Sequence, residues 1–412
     1  MTKNDKLKVV FILPFNISFG RGGEYVLLNY IKYAPKNVDI TVIQTKYAPD
    51  KRLTEEELKI VYNRAKFITL DTVEVDYLYK ISGKLSKLSK KSIIAKFLNY
   101  FIKFIRYILL YIVYFNLKLK KEMIKNKELL KILVEANIIY LFPNFLSLSL
   151  KHFKGKLIGS SHSIFLYLEK YSIINSLRRM FILAQLRLYN RYVYAYHLFP
   201  GYRKYLKILG IKKCFFVPNG IDTSIFYPKD KKQSDDVIFL FNAALEECKG
   251  VLIVIEAWKL MKNKDKAKLY IVGGGMLSDY IKKMSEKYKY KYFSVLPIDK
   301  LAEIYRSSDV FLYPTDCDTF SLVMFQALAS GLYVLTSNYM RKIEDDSLKN
   351  IKREWISYLE RDPIVLARKM DEIVENRQEI FRKDRMSLYK FIKENYSWES
   401  VVDKFYNELK KL

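Results

Sequence analysis

Asp309–Ser337 reads DVFLYPTDCDTFSLVMFQALASGLYVLTS. An apolar run of strand length, Asp309–Tyr313, stops at Pro314, and a polar loop carrying Asp316 and Asp318 follows. Next comes a helix-spaced stretch with Gln326 that closes at Gly331, and then a second apolar run, Leu332–Thr336. Strands that are apolar throughout are buried on both faces, so this is a βα unit of a parallel sheet. Asp318 and Gln326 are separated by eight positions. A loop residue and a helix residue so placed can face one ligand at the sheet edge. By composition alone, Asp316 and Asp318 read as ordinary N-caps of the following helix.

The same alternation extends outward. Lys8–Pro14, Val38–Gln44, Lys66–Leu70, Asn137–Leu141, Gly155–Gly159 and Tyr192–Leu198 form one series of strand-length runs. Cys214–Val217, Val237–Phe241, Lys268–Val272, Tyr292–Leu296, Asp309–Tyr313 and Leu332–Thr336 form a second. Helical patterns lie between them, which predicts two α/β domains in tandem with a boundary in the polar stretch Pro200–Lys213. The domain ranges expected are 1–200 and 201–385, followed by terminal helices over 386–412.

The chain has 412 residues, half of them hydrophobic, which suits two or three globular domains and excludes an intrinsically disordered tail. Cys214, Cys248 and Cys317 lie far apart in sequence with no CxxC pair. That spacing argues against a disulfide scaffold, a structural zinc site or an oxidising compartment, so a cytoplasmic location is expected. Lys3, Lys6 and Lys8 precede an apolar run, Val9–Pro14, too short for a secretory signal, and it reads as the first strand. The formal net charge of +28 calls for an anionic partner: nucleic acid, anionic lipid or a phosphate-bearing small substrate.

Between the third and fourth strands, Leu78–Lys131 carries 14 Lys and Arg against 2 Glu, or +12 of the total. On a helical wheel Lys96, Asn99, Tyr100, Lys103, Arg106, Tyr107 and Tyr114 share one side, and Ile94, Leu98, Phe101, Ile105, Ile108, Leu109 and Ile112 the other. The uncharged run Tyr107–Leu117 has 11 residues, short of the roughly 20 needed to span a bilayer. A basic, Tyr-rich amphipathic insertion over 78–131 suits an anionic membrane surface, and a helix packed on its own domain with a solvated basic face is the plainer alternative. Its aromatics lie among aliphatics and not on a basic groove, so nucleic acid is not expected.

Only 14 glycines occur, and six of them sit in two clusters. Gly20-Arg21-Gly22-Gly23 follows the first strand and precedes the amphipathic run Glu24–Tyr33; Gly273-Gly274-Gly275 holds the equivalent place in the second series. Glycine loops at strand carboxyl ends let a backbone approach a ligand and point N–H groups at it. His152 reads as a surface residue and His197, in an apolar strand, as a core histidine.

Asp309–Ser337 resembles the signature of family 4 glycosyltransferases of the GT-B fold, in which a Glu-x7-Glu pair frames the loop and helix. Other stretches are similar to that family in order and spacing: Gly20–Gly23, Ser161-His162, Val217-Pro218-Asn219-Gly220-Ile221-Asp222, Lys249-Gly250 with Ile255-Glu256-Ala257, Ile271–Gly275, and Tyr396-Ser397-Trp398-Glu399. The resemblance implies two Rossmann-like domains facing each other across a cleft, with the last helix returning to the first domain. It implies retaining transfer of a sugar from a nucleotide-diphosphate sugar, the co-substrate, to an acceptor hydroxyl, with no other cofactor and no metal; with the basic insertion, a glycan or lipid-linked acceptor at the cytoplasmic face of a membrane is expected. By position, Lys249 would neutralise the diphosphate, Asp318 would contact the sugar and Gln326 the ribose. Backbone amides of Phe320, Ser321 and Leu322, with Thr319 and Gly274 beside them, would meet sugar and phosphate. His162 would sit at the reacting centre as a third catalytic residue beside Asp318 and Lys249, and Gly20, Arg21, Gly22 and Gly23 would form the acceptor-side loop. The family's Gly-Arg-Leu is Ala243-Ala244-Leu245 here, its first Glu is Asp318 and its second is Gln326. The alternatives are an active enzyme with another cation, such as Arg21 or Arg341, in place of the missing Arg, a shifted donor preference, or a noncatalytic subunit that partners an active transferase.

Overall fold

The computed structural model describes residues 6–19, 22–46, 53–71, 115–142, 149–160, 187, 190–199, 203, 206–229, 236–318, 320–342 and 352–412. Two compact units result: unit 1 comprises Met1–Leu198, Lys204–Val217 and Val402–Leu412, and unit 2 comprises Phe199–Arg203 and Pro218–Val401.

Unit 1 is built on seven parallel strands: β1 (Leu7–Ile12), β2 (Val38–Thr45), β3 (Lys66–Leu70), β4 (Ile138–Leu141), β5 (Leu157–Ser160), β6 (Ala195–Leu198) and β7 (Cys214–Phe216). Their order is β3-β2-β1-β4-β5-β6-β7. Unit 2 has six: β8 (Val237–Asn242), β9 (Ala267–Val272), β10 (Lys291–Phe293), β11 (Val310–Tyr313), β12 (Tyr333–Ser337) and β13 (Ile356–Leu359), ordered β10-β9-β8-β11-β12-β13. Every residue of β4, β11 and β12 is buried, as uniformly apolar runs require of parallel strands covered on both faces.

Two assignments need correction. Cys214–Phe216 does not open the second sheet; it pairs with β6, with Tyr196 opposite Cys214, at the edge of the first. A three-residue strand after a polar stretch carries no pattern that says which sheet it joins. Ile356–Leu359 is a strand with no sequence counterpart above; one fully buried residue in four leaves no apolar run to recognise.

Local capping is conventional. Thr54 accepts a hydrogen bond from the Glu57 amide at 3.2 Å while Glu57 accepts from the Thr54 amide at 2.8 Å, a reciprocal box that starts helix Glu55–Arg64. Asp362 caps helix Pro363–Glu375, whose Leu366 and Met370 pack into the same apolar cluster as Val254 and Trp258 of helix Val251–Leu260.

The unit 1 core contains a polar chain. Tyr140 Oη lies 2.6 Å from His197 Nδ1, and His197 Nε2 lies 3.0 Å from the Val217 carbonyl. A carbonyl only accepts, so Nε2 carries the proton and Nδ1 accepts from Tyr140. Burial lowers the His197 pKa to about 4, so the imidazole is neutral, and the sequence reading of a core histidine agrees with this placement. Residues 402–412 complete this core: the Phe405 ring stacks on Tyr30 at 4.2 Å, and the Tyr406 hydroxyl donates to the Tyr30 carbonyl at 3.1 Å.

Of the basic insertion, 78–114 lies outside the described residues. The remainder forms helices Phe115–Lys125 and Lys127–Glu135, which bury Leu119, Leu129 and Leu133 but leave Leu117 and Ile124 62% and 75% exposed. Among the described residues no helix is long and apolar enough to cross a membrane.

Candidate functional site

In unit 2 the strand order reverses between β8 and β11, and at such a switch point the loops leaving the two carboxyl ends diverge to make a crevice. The loop after β8 leads through the turn Glu247–Lys249 into helix Val251–Leu260. The loop after β11 runs from Pro314 to Ser321 and into helix Leu322–Ala329. Lys249 comes from the first and Asp318 from the second.

These two residues meet. Lys249 Nζ donates to the Cys317 carbonyl at 2.8 Å and lies 3.3 Å from both Asp318 Oδ2 and Tyr313 Oη. Tyr313 donates a short hydrogen bond to the same Asp318 oxygen. Its phenol pKa is raised well above the ordinary value, first by burial and then by the Asp318 charge, so it stays a donor at any physiological pH. Tyr339 donates to the Asp318 carbonyl at 3.0 Å, fixing the backbone of the same residue. A carboxylate held by a lysine and a tyrosine presents a defined polar edge to a hydroxylated ligand, and the lysine next to it can turn to an incoming anion.

The N-cap reading of Asp316 and Asp318 is corrected: Ser321 caps helix Leu322–Ala329, its Oγ accepting from the Met324 amide at 3.3 Å. The helix thus starts four residues beyond Asp318, so that carboxylate does not cap it. Of the expected amides, that of Leu322 is spent on the Phe320 carbonyl at 3.1 Å. The Phe320 ring stacks on Phe325 at 4.7 Å. Gln326 is half-buried, and its side chain has no hydrogen bond among the described residues.

Two glycines are dictated by the backbone. Gly250 has φ +88°, and a Cβ there would collide with the Pro314 carbonyl, so the β8 loop can lie against the β11 loop only with glycine at this place. Gly273 has φ +144°, and its Cβ would collide with the Ala243 carbonyl. Gly274 sits next to it and accepts from the Leu245 amide at 3.0 Å. In unit 1, by contrast, a Cβ on Gly23 would make an ordinary 3.9 Å contact with Phe142, so packing does not demand glycine there. Gly22 and Gly23 open helix Gly22–Lys32. His162, Ser161, Gly20, Arg21 and Thr319 lie outside the described residues.

Of the two expected substitute cations, only Arg341 lies among the described residues. The Arg341 guanidinium lies 5.0 Å over the Tyr358 ring. Arg361, which sequence reasoning missed, joins the two loops: its Nε donates to the Pro314 carbonyl at 3.0 Å and a terminal nitrogen to the Glu247 carbonyl at 2.7 Å, while the other lies 3.3 Å from Asp316. Tyr313 was also missed, because a strand tyrosine reads as core.

The sequence spacing argued against a disulfide scaffold and gave no sign of any bond, yet the structure holds one. Cys248 and Cys317, 69 residues apart, form it, with Cα atoms 5.7 Å apart. Sequence distance concealed it; the switch point brings the two loops together. A carboxylate oxygen of Asp316 lies within 4.8 Å of both sulfurs, a grouping that could hold a metal ion if the thiols were reduced. A separate hollow of about 740 Å³, lined by Asp222, Tyr389, Lys393 and Glu399 among others, includes none of these residues.

Comparison with known proteins bears on this geometry. Residues 223–394 match the family described as Glycosyl transferases group 1. An uncharacterized glycosyltransferase of Methanocaldococcus jannaschii is 25% identical over 187 residues, 43% of this chain and 46% of that protein. The chain spans about half the length of the curated relatives it matches. Among solved structures, sucrose-phosphate synthase of Thermosynechococcus elongatus superposes with a TM-score of 0.68 at 14% identity, covering 98% of this chain and 99% of that one. Anabaena HepE in complex with UDP-glucose does so with a TM-score of 0.60 at 12% identity, covering 98% and 100%.

Proposed function

We propose that this chain, a GT-B fold whose residues 223–394 match the glycosyl transferases group 1 family, transfers a sugar from a nucleotide-diphosphate sugar to a glycan or lipid-linked acceptor with retention of configuration. The observation that carries the reading is the Lys249–Asp318–Tyr313 cluster at the switch point inside that matched region. Departure of a nucleoside diphosphate gathers negative charge, and Lys249, released from Asp318 as the phosphates arrive, supplies the compensating cation. Asp318, held by Tyr313, takes up hydroxyls of the transferred sugar, and the unengaged Gln326 side chain takes the ribose diol. Thr319, the amides of Phe320 and Ser321 and the Gly274 backbone line the donor, while His162 serves at the reacting centre and Gly20, Arg21, Gly22 and Gly23 on the acceptor side. The reaction needs no metal in this scheme, so EDTA should leave the rate unchanged, and loss of activity with EDTA would contradict it.

A second reading, a noncatalytic subunit partnering an active transferase, is favoured by two observations: alanine stands at 244, and the phosphate-facing lysine is already paired with a carboxylate. Incubating the purified protein with a panel of nucleotide sugars separates the two. Nucleoside diphosphate release with at least one donor supports the enzyme, and no release with any donor supports the subunit.

The membrane proposal rests on the insertion. Leu117 and Ile124 are exposed on the helix that also exposes Lys120, Lys121 and Lys125, a composition that suits an anionic bilayer surface. Serine at both apolar positions should weaken sedimentation with phosphatidylserine vesicles; unchanged sedimentation rules this element out.

A further inference from the structure

We propose that Cys248 and Cys317 are a reversible thiol–disulfide modification site that clamps the Lys249 loop onto the Asp318 loop; its bearing on nucleotide binding rests on the function proposed above.

Three observations carry it. Each cysteine immediately precedes one residue of the polar cluster, so the covalent link joins the two loops at the point where Lys249 meets Asp318. Hydrogen bonds between the two loops also bring the two cysteines together. The Cys248 carbonyl accepts from the Asp316 amide at 3.0 Å and from the Thr315 hydroxyl at 3.3 Å, and the Cys317 carbonyl accepts from Lys249 at 2.8 Å. Two thiols kept adjacent re-form their bond as an intramolecular step, which makes the site reversible. The sulfurs also differ in access: Cys248 is half-buried on its turn, whereas Cys317 is 9% exposed.

That asymmetry orders the chemistry. The Cys248 thiolate attacks one sulfur of a small disulfide, R–S–S–R, and releases one R–S⁻. The Cys317 thiolate then attacks the Cys248 sulfur of the mixed disulfide and releases the second R–S⁻. The two thiol protons end on the two released R–SH, the cysteine pair loses two electrons and the small disulfide gains them. A dithiol reductant reverses both steps.

Opening the bond obliges the sulfurs to part from bonding to van der Waals separation, about 3.5 Å or more. The Glu247–Lys249 turn is the more exposed partner and takes up the shift, loosening the contacts of Lys249 with the Cys317 carbonyl and Asp318 while the two thiols stay neighbours. The clamped form therefore presents the two loops pre-organised, and the reduced form does not.

The full-length chain is treated with oxidised glutathione or with dithiothreitol, then examined by peptide mass and by hydrogen exchange. After the oxidant a linked peptide containing Cys248 and Cys317 is expected, while Cys214 alkylates in both samples once the chain is denatured. Exchange at the Asp316 and Lys249 amides is expected to rise on the order of tenfold on reduction. Absence of the linked peptide overturns the proposal, and so does a linked peptide with equal exchange in the two states. Calorimetry with UDP should show on the order of tenfold tighter binding in the linked form. If neither form binds UDP or any other nucleoside diphosphate of a panel, the glycosyltransferase reading fails while the clamp, judged by linkage and exchange, stands.

Discussion

Each unit contains a tyrosine-centred polar cluster, and the two differ in what surrounds them. In unit 1, Tyr140, His197 and the Val217 carbonyl form a chain fully enclosed by apolar side chains. Its members are neutral, and the chain ends on a backbone acceptor. In unit 2, Tyr313 is equally buried, but its hydroxyl reaches outward to Asp318 and Lys249, which retain 14% and 21% of their side-chain exposure. A sealed, neutral network satisfies the polar groups the fold has buried. A network that brings two opposite charges to the mouth of a switch-point crevice keeps capacity for a ligand. The same residue type at the base of each cluster thus does structural work in one and orienting work in the other.

Substitutions can break that contrast. Lys249→Ala should have the largest effect, lowering kcat/KM for the donor sugar by about 10²–10³-fold with the unfolding midpoint nearly unchanged. If nucleoside diphosphate release persists at the parental rate, the open cluster is not a donor site. His197→Ala should do the reverse, costing about 3 kcal/mol of stability in urea unfolding through a cavity and an orphaned Tyr140 hydroxyl, with UDP affinity unaltered.

Acid should probe the sealed cluster through His197. His197 binds its proton near pH 4 in the folded chain and near 6.5 when unfolded, so between those values the unfolded state holds more protons. Its contribution is therefore constant above about pH 6.5 and is lost as pH falls toward 4, about 3 kcal/mol in all. A His197→Gln variant should flatten that part of the stability profile, and an unchanged slope would contradict the buried neutral imidazole. Smallest is Tyr313→Phe, which removes one donor to Asp318. It should raise the donor KM by about tenfold while leaving kcat within a few-fold.

How much of this was legible in sequence depended on the range of the interaction. Asp309–Ser337 could be read directly because its strands are apolar throughout and its helix has the right period. The roles of Lys249 and Asp318 came from the resemblance to family 4 glycosyltransferases, since composition alone made Asp318 an N-cap. Arg361 and the disulfide could not be read, since each joins loops separated by dozens of residues or more and contributes nothing periodic. Tyr313 was hidden differently: a buried strand residue looks like core until its hydroxyl is seen to find a carboxylate. The capping assignment went to the wrong side chains because the helix starts at Leu322, three positions later than aspartate preferences suggest.

The completion of unit 1 by residues 402–412 has a consequence for the order of events during synthesis. Tyr30 leaves the ribosome early, but the residue that closes its hydrogen bond follows 376 positions later. The core of unit 2 is contained in Pro218–Val401 and can assemble before then, whereas the β1 half of unit 1 must wait with Tyr30 and its neighbours uncovered. In the cell, the β1 half of unit 1 becomes secure only after unit 2 has been made, and the interval between is when holdase chaperones have most to bind.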